Sequence, residues 1–178
     1  ENVEEEMILG LVKSAPDKLR KLDCGNVVVR VPKKEGKVAL VSGGGSGHEP
    51  AHGGYVGEGM LDAAVAGAVF TSPTPDQIYE AIKAVATDAG VLCIVKNYTG
   101  DIMNFEMAID MAKDEDIKAD YVVVNDDVAV KDSLYTTGRR GVAGTVLVHK
   151  IAGALAETGA SLEEVKAVAE KVIANVRT

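Results

Sequence analysis

Three continuous apolar runs of strand length constrain the fold of this chain more than any other feature. They are Lys37–Ser42, Val91–Val95 and Tyr121–Val124. None alternates between apolar and polar residues, which is typical of strands that are buried on both faces. Segments of helical length separate the runs. We therefore expect an α/β fold with an open, largely parallel sheet, helices on both faces, and ligand-binding loops at the carboxyl ends of the strands.

The segments around these runs carry further signals of secondary structure. Val27–Val31 is β-branched and predicts a strand, whereas Asp62–Phe70 is small and apolar and fits either a strand or a helix. Ser161 and Glu164 form a capping-box pattern at the start of the last helix. Apolar spacing, prolines and capping residues predict helices at Val3–Lys13, Asp76–Thr87, Ile102–Lys113, Thr145–Glu157 and Ser161–Asn175, with a polar loop at Lys131–Gly144.

Size and charge exclude several classes of protein. The chain has 178 residues, so we expect one α/β domain spanning residues 1–178. Its 19 basic and 27 acidic side chains give a net charge of −8, and this charge together with only 4% aromatic residues makes a nucleic acid an unsuitable partner. No apolar run is long enough to cross a membrane. Cys24 and Cys93 are too few for a disulfide framework, so we expect reduced thiols and a cytoplasmic protein.

The strand-like runs end in polar loops that should meet at one edge of the sheet. The loop sequences are GGGSGHEP, KNYTGD and NDDVAVKD. In open α/β sheets, ligands bind at the carboxyl ends of the strands. This convergence is the strongest physical indication of a binding site in the sequence.

The first loop contains His48-Glu49-Pro50-Ala51-His52, which matches the H-E-x-x-H pattern of zinc proteases. That chemistry requires a stable helix to place both imidazoles on one metal ion. Glycines flank the motif on both sides, and Pro50 is tolerated only in the first turn of a helix. We therefore expect no metal site here and no zinc bound through His48 and His52.

The glycines of the same loop match neither a Walker loop nor a Rossmann fingerprint. They permit two interpretations: close approach of backbone N–H groups to an oxygen-rich ligand, or a structural turn packed against Gly57 and Gly59.

Charged residues at the strand ends also have two interpretations each. His48 and Asp101 could face each other across the sheet edge and remove a proton from a hydroxyl group, or Asp101 could simply be the N-cap of the following helix. Lys96 could donate to a ligand carbonyl or be a surface charge. Asp126 and Asp127 could bind a metal ion, but two adjacent residues on a strand end point to opposite sides, so we interpret them as a turn.

Long motifs give the chain a specific resemblance. GGGSGHEP, GxxGxGML, FTSPTPDQI, VKNYTGDIMNFE and NDDVAVKDSLYTTGRRGVAGTVLVHKIAGA resemble the dihydroxyacetone kinases. The resembling part of that family is the substrate-binding domain, which is the K-type subunit of the bacterial multi-subunit enzyme and the first domain of the single-chain, ATP-dependent form. The resemblance covers nearly the whole chain from Lys37 onward.

The resemblance implies a function and a set of site residues. The domain would bind dihydroxyacetone (glycerone) for phosphoryl transfer to its terminal hydroxyl, giving dihydroxyacetone phosphate, as in glycerol metabolism. His48 and Asp101 would be catalytic, and the substrate would be bound by Gly45, Ser46, Gly47, His48, Lys96 and Asp101. Some relatives are non-catalytic sensors or coactivators, so a dihydroxyacetone-sensing module is the alternative. The presence of both His48 and Asp101 favours the kinase.

The resemblance also implies partners. The chain itself would hold no cofactor, because ATP/ADP-Mg or a phospho-carrier of a phosphotransferase system is expected on a partner kinase subunit or domain, and the full subunit is expected to be a homodimer. The family binds the substrate carbonyl covalently through a histidine in a Gly-Ile-His-Gly-Glu context, which the 178 residues do not contain. We therefore expect the chain to be the N-terminal part of the subunit. By itself it should bind dihydroxyacetone at most in the millimolar range, without a covalent adduct or kinase activity.

Overall fold

The computed structural model describes residues 2–131, 133–134 and 136–178. Residues 132 and 135 of the expected Lys131–Gly144 loop lie outside the described part. In chain order the elements are α1 (Val3–Ser14), β1 (Leu19–Lys21), β2 (Val27–Arg30), β3 (Ala39–Ser46), a short 3-10 helix (Gly53–Tyr55), β4 (Ala63–Val69), α2 (Pro75–Val85), β5 (Val91–Lys96), α3 (Thr99–Asp114), β6 (Ala119–Val124), α4 (Thr145–Ala156) and α5 (Leu162–Asn175).

The strands form one six-stranded sheet in the order β1-β2-β4-β3-β5-β6. Strands β4, β3, β5 and β6 are mutually parallel, whereas β1 and β2 add an antiparallel edge beside β4. The predicted open, largely parallel sheet is confirmed. From β3 the chain continues to β4 on one side, and β5 lies on the other side. The carboxyl ends of β3 and β5 therefore form a topological switch point, where such sheets bind ligands.

Both faces of the sheet are covered by helices, as the uninterrupted apolar runs predicted. Helices α2 and α3 bury Ile82 and Phe105 against the face that carries Val41 and Cys93. Helices α4 and α5 cover the opposite face, which carries Leu40, Leu92 and Ile94. Adjacent strand residues such as Leu40 and Val41 enter different cores because side chains alternate across a strand.

Helix α1 packs over the antiparallel end of the sheet. Its buried Ile8 contacts a small cluster formed with Leu19 and Val28. Val28 pairs with Ala64, which belongs to the core under α4 and α5, so α1 extends the cover on that same face.

Two boundaries differ from the sequence-based expectation. The glycines after the first apolar run continue as strand, so β3 extends to Ser46. They pair with β4 in register, for example Gly43 with Val65 and Gly45 with Gly67. Helix α3 begins at Thr99 rather than after Asp101, so Asp101 lies in its first turn and is not its N-cap.

The remaining elements agree with the sequence. Asp62–Phe70 contains a strand, and the predicted helices are present with ends within a few residues. Ser161 accepts a hydrogen bond from the Glu164 N–H and Glu164 reaches back to the Ser161 N–H, which confirms the capping box. Within the described ranges, no helix is both long and apolar enough to cross a membrane.

Candidate functional site

A cavity of about 580 Å³ opens at the carboxyl ends of β3 and β5. Its polar lining brings together groups that lie far apart in the sequence: Gly45, His48, Ser72, Lys96, Gly100 and Asp101. Phe70 and Leu134 line its apolar side and are largely exposed. The sequence-predicted pair, His48 and Asp101, therefore shares one cavity with Lys96.

Lys96 is the last residue of β5, and its side chain is almost completely enclosed. Its Nζ donates to the Gly43 carbonyl at 2.6 Å, lies 2.9 Å from His52 Nε2, and lies 3.4 Å from Asp101 Oδ2. Burial lowers the pKa of Lys96 below its ordinary value, and the Asp101 carboxylate opposes part of that shift. The surface-charge interpretation of Lys96 is wrong, because the ammonium is held inside the site.

Asp101 is buried, with 4% of its surface exposed, although it lies in the first turn of α3. One carboxylate oxygen accepts a hydrogen bond from the Ser72 hydroxyl, and the other faces Lys96. The helix start also favours a negative charge at this position. The contacts with Ser72 and Lys96 fix the orientation of the Asp101 side chain toward the cavity.

His48 lies on the turn that follows β3 and is exposed. Its ring contacts Phe70 edge-to-face, with 5.3 Å between ring centroids. Among the described residues, neither nitrogen of His48 has a hydrogen-bond partner, so the imidazole can interact with a ligand in the cavity.

The three residues that precede His48 have different environments. Gly45 lines the cavity, and a Cβ there would lie 2.5 Å from the Thr71 backbone nitrogen. Ser46 is buried and its hydroxyl donates to the Gly67 carbonyl at 2.7 Å. Gly47 has φ +109° and its N–H donates to the Glu49 carboxylate. Gly45 is thus the residue of the three whose backbone borders the cavity.

The H-E-x-x-H segment forms turns instead of an α-helix. His48 faces Phe70, whereas His52 points inward, and its Nδ1 lies 3.1 Å from Nε2 of His149. The two imidazoles therefore have separate environments, and the helix that zinc ligation requires is not formed. The search of the described residues found no group of three or more His, Cys, Asp or Glu side chains arranged to hold a metal ion.

His149 is a functional candidate that the sequence did not reveal, because it lies within the apolar helix α4. It is completely buried, and burial lowers its pKa to about 3. Burial together with the charge of Lys96 likewise lowers the pKa of His52 well below its ordinary value. Both rings are therefore neutral at neutral pH. Ser72 was also missed, because Ser72-Pro-Thr-Pro reads as the start of a helix.

The carboxylates of Asp126 and Asp127 both accept hydrogen bonds from backbone N–H groups of the loop that follows β6. Asp126 accepts from the N–H groups of Val142 and Gly144, both at 2.8 Å, and so shapes the loop that leads into α4. Asp127 is paired with Arg140, which lowers the pKa of its carboxyl group.

The fold and the cavity define an α/β domain with a polar cavity at a switch point of the sheet. Residues 9–178 match the family described as Dak1 domain. The chain therefore belongs to the Dak1 domain family, and the resemblance seen in the sequence is confirmed.

Individual relatives agree with this assignment. The chain is 67% identical over 178 residues to the PTS-dependent dihydroxyacetone kinase 1, dihydroxyacetone-binding subunit DhaK, of Listeria innocua, which covers 100% of this chain and 54% of that protein. The crystal structure of the C. freundii dihydroxyacetone kinase superposes with a TM-score of 0.91 at 44% identity, covering 97% of this chain and 32% of that one. A dihydroxyacetone kinase operon co-activator superposes with a TM-score of 0.87 at 43% identity, covering 94% and 51%. The chain spans about half the length of the curated relatives it matches.

Proposed function

We propose that this chain binds dihydroxyacetone at the carboxyl ends of β3 and β5 and presents a terminal hydroxyl for phosphorylation. The observation that carries the proposal is the shared cavity of His48, Lys96 and Asp101 at the switch point. It occurs in a chain that is 67% identical to a dihydroxyacetone-binding subunit. The product would be dihydroxyacetone phosphate.

Binding relies on a few polar groups around a three-carbon ketone. The backbone of Gly45 borders the cavity, and Lys96 and Asp101 supply a donor and an acceptor on its wall. The Lys96–Asp101 separation of 3.4 Å is the longest of the three Lys96 contacts. We therefore expect the Lys96 N–H group that points toward Asp101 to donate to a substrate oxygen when the substrate binds. Ser46 and Gly47 would act indirectly, by shaping the turn that places His48, since the Ser46 hydroxyl is bonded to Gly67 and the Gly47 N–H to Glu49.

His48 is assigned as the group that accepts the proton. As the hydroxyl oxygen forms a bond to phosphorus, the bond from phosphorus to the donor breaks and the hydroxyl proton passes to an imidazole nitrogen of His48. Asp101 orients the hydroxyl, because its carboxylate is already engaged by Ser72 and Lys96. Phosphoryl transfer depends mainly on such positioning and on electrostatic stabilisation.

The phosphoryl donor is assigned to a partner subunit, and we propose a phospho-carrier of a phosphotransferase system. The Listeria innocua relative is named as PTS-dependent. We further propose that the chain acts as the N-terminal part of the substrate-binding subunit and that a later segment of that subunit holds the ketone covalently.

A non-catalytic sensor is the second candidate, because a co-activator shares the fold. That neighbour is 43% identical to this chain, compared with 67% for the kinase subunit. A sensor also needs no proton acceptor beside the ligand. The kinase role is therefore favoured.

A turnover assay tests the proposal. The protein encoded by the complete reading frame is combined with its donor subunit. Formation of dihydroxyacetone phosphate is then measured with one of two phosphoryl donors, either phosphoenolpyruvate plus the phosphotransferase proteins or ATP. His48→Ala should lower turnover by at least ~10²-fold, as expected for loss of general acid–base catalysis, and Asp101→Ala should do the same.

Asp110→Ala is the matched control, because it removes an exposed carboxylate from the same helix as Asp101. It should leave turnover unchanged. Near-normal turnover of His48→Ala or Asp101→Ala at saturating substrate would remove that residue from the mechanism. No product with either donor would favour the sensor.

A further inference from the structure

The second histidine of the H-E-x-x-H motif has no role in the mechanism above, yet it contacts the site from inside. His52 lies between Lys96, at the end of β5, and His149, in the middle of α4. Three elements that are distant in sequence thus meet at one imidazole. The order of contacts is Asp101, Lys96, His52 and His149, and we call these four side chains the relay.

The numbers of donors and acceptors on each side chain fix the direction of the hydrogen bonds in the relay. A lysine ammonium has three N–H groups and no acceptor. Its Nζ faces the Gly43 carbonyl, Asp101 Oδ2 and His52 Nε2, so His52 Nε2 must be the unprotonated nitrogen. The neutral His52 ring then carries its proton on Nδ1, which lies 3.1 Å from His149 Nε2.

Because Nε2 of His149 accepts this hydrogen bond, the neutral His149 ring carries its proton on Nδ1. That buried atom has no hydrogen-bond partner among the described residues. An unpaired buried donor destabilises the folded state, and an apolar side chain would fill the same space without that penalty. The side-chain hydrogen bond that His149 makes is therefore through Nε2, which accepts from Nδ1 of His52.

We propose that His52 and His149 are positioning residues for the site: the donor chain from Lys96 through His52 to His149 holds the Lys96 ammonium beside Asp101. His149 acts through His52, and His52 acts through Lys96. The groups that face His52 are Lys96 from β5, His149 from α4 and His48 from its own turn. Burial and the positive charge of Lys96 both favour a neutral His52 ring.

The tautomers themselves are the first test, and they require no variant and no activity. Long-range proton–nitrogen NMR spectra of the ¹⁵N-labelled chain distinguish protonated from unprotonated ring nitrogens. The proposal requires that His52 and His149 both carry a proton on Nδ1 and none on Nε2, unchanged from pH 8 to pH 6. A proton on Nε2 of His52, or a cationic His52 ring in this range, would overturn it.

Variants at His149 test whether the relay positions Lys96. In His149→Phe the His52 N–H loses its acceptor, so proton exchange of the Lys96 ammonium should accelerate by about tenfold, the equivalent of one lost hydrogen bond. His149→Gln should restore slow exchange, since its amide oxygen can accept from His52. Lys150→Ala, an exposed neighbour on α4, is the control. Unchanged Lys96 exchange in a folded His149→Phe protein would also overturn the proposal.

The catalytic consequence rests on the proposed function and is measured separately. In the complete reading frame, His149→Phe should lower kcat/KM and His149→Gln should recover it. If the unmodified protein forms no dihydroxyacetone phosphate, the proposed function fails while the tautomer and exchange measurements still decide the relay. If turnover is normal but the Nδ1 tautomers are not found, the proposed relay is wrong while the proposed function still stands.

Discussion

At the scale of single residues, Gly44 controls the space that Lys96 occupies. A Cβ at Gly44 would lie 2.5 Å from Lys96 Nζ and 3.8 Å from His52 Nε2. The atom that it meets first is the far end of a flexible side chain, which can move without disturbing the fold. Glycine is therefore needed at position 44 to leave room for the Lys96 ammonium, and not to allow β3 to form.

Gly44→Ala tests this role of Gly44. The added methyl group should displace Lys96 from the Gly43 carbonyl and from His52, so kcat/KM for dihydroxyacetone in the complete reading frame should fall by at least ~10-fold, the equivalent of one lost hydrogen bond. The free energy of unfolding should change by less than about 1 kcal/mol, as for a typical mild substitution. Gly57→Ala is the control, since nothing lies within 4 Å of its added Cβ. Equal kcat/KM for the two variants would show that the Lys96 position does not matter.

The sequence indicated part of the candidate site at this scale. His48, Lys96 and Asp101 could be found because each lies where an apolar run ends, and such ends meet in a parallel sheet. His149 could not be found, because it lies inside an apolar helix and its contact with His52 depends on how α4 packs. The roles of Ser72 and of the buried Ser46 hydroxyl likewise depend on contacts with distant residues.

At the scale of elements, strand β3 shows how pairing overrides local preference. Glycine is disfavoured in strands, so Gly43–Gly45 reads as a loop in the sequence. In the structure these glycines are held by a neighbouring strand, with Gly44 opposite Ala66. Small residues on both strands permit this approach. The short β1 and the antiparallel edge were not predicted either, because the three residues of β1 are too few to show a pattern of apolar residues that indicates a strand.

Helix α5 is the element whose start was predicted most sharply, and its capping box offers a stability test. Ser161→Ala should lower the free energy of unfolding by about 1 kcal/mol, because the Glu164 N–H loses its side-chain acceptor. Chemical denaturation measures the change. Glu164→Ala and the double variant complete a cycle. Simple additivity of the two single effects would contradict a coupled box.

At the scale of the whole molecule, a buried charge cluster ties α4 to the sheet at the end opposite the candidate site. Lys37 is 1% exposed and its Nζ lies 2.5 Å from Asp62 Oδ2. Arg30 bridges Asp62 and Glu157, and Lys34 reaches Glu157 from the surface at 2.7 Å. The cluster joins β2, the start of β4 and the end of α4, so it fixes the helix layer relative to the strands.

Glu157 makes the stability of this arrangement depend on pH. Burial alone would raise its pKa, but hydrogen bonds from Lys34, the Gly59 N–H and Arg30 outweigh burial and lower the pKa to about 2. Because the folded-state pKa is below the unfolded one, this stabilisation is present above about pH 4.5 and is lost as the pH falls toward 2. The free energy of unfolding should fall in that window by up to about 1.4 kcal/mol per pH unit from this one group.

Glu157→Gln separates this contribution from that of the other carboxylates. The variant should be less stable than the unmodified chain at pH 7, and the difference should shrink as the pH falls from 4.5 toward 2. Denaturant titrations at several pH values measure both curves. Parallel curves for the two proteins across the window would show that Glu157 is not the responsible group.

A titration that locates dihydroxyacetone on the chain tests the proposed binding site directly. In a titration of the ¹⁵N-labelled chain followed by NMR, we expect chemical-shift changes concentrated at Gly45, Gly47, His48, Gly100 and Asp101. Binding should be at most in the millimolar range, roughly −4 kcal/mol, because only a few hydrogen bonds in a cavity open to water hold the ketone here. Two results would contradict the proposed site. One is a set of shifts centred on the apolar cavity of about 410 Å³ between α1 and the ends of β3 and β4. The other is the absence of shifts up to about 100 mM dihydroxyacetone, a concentration well above a millimolar dissociation constant.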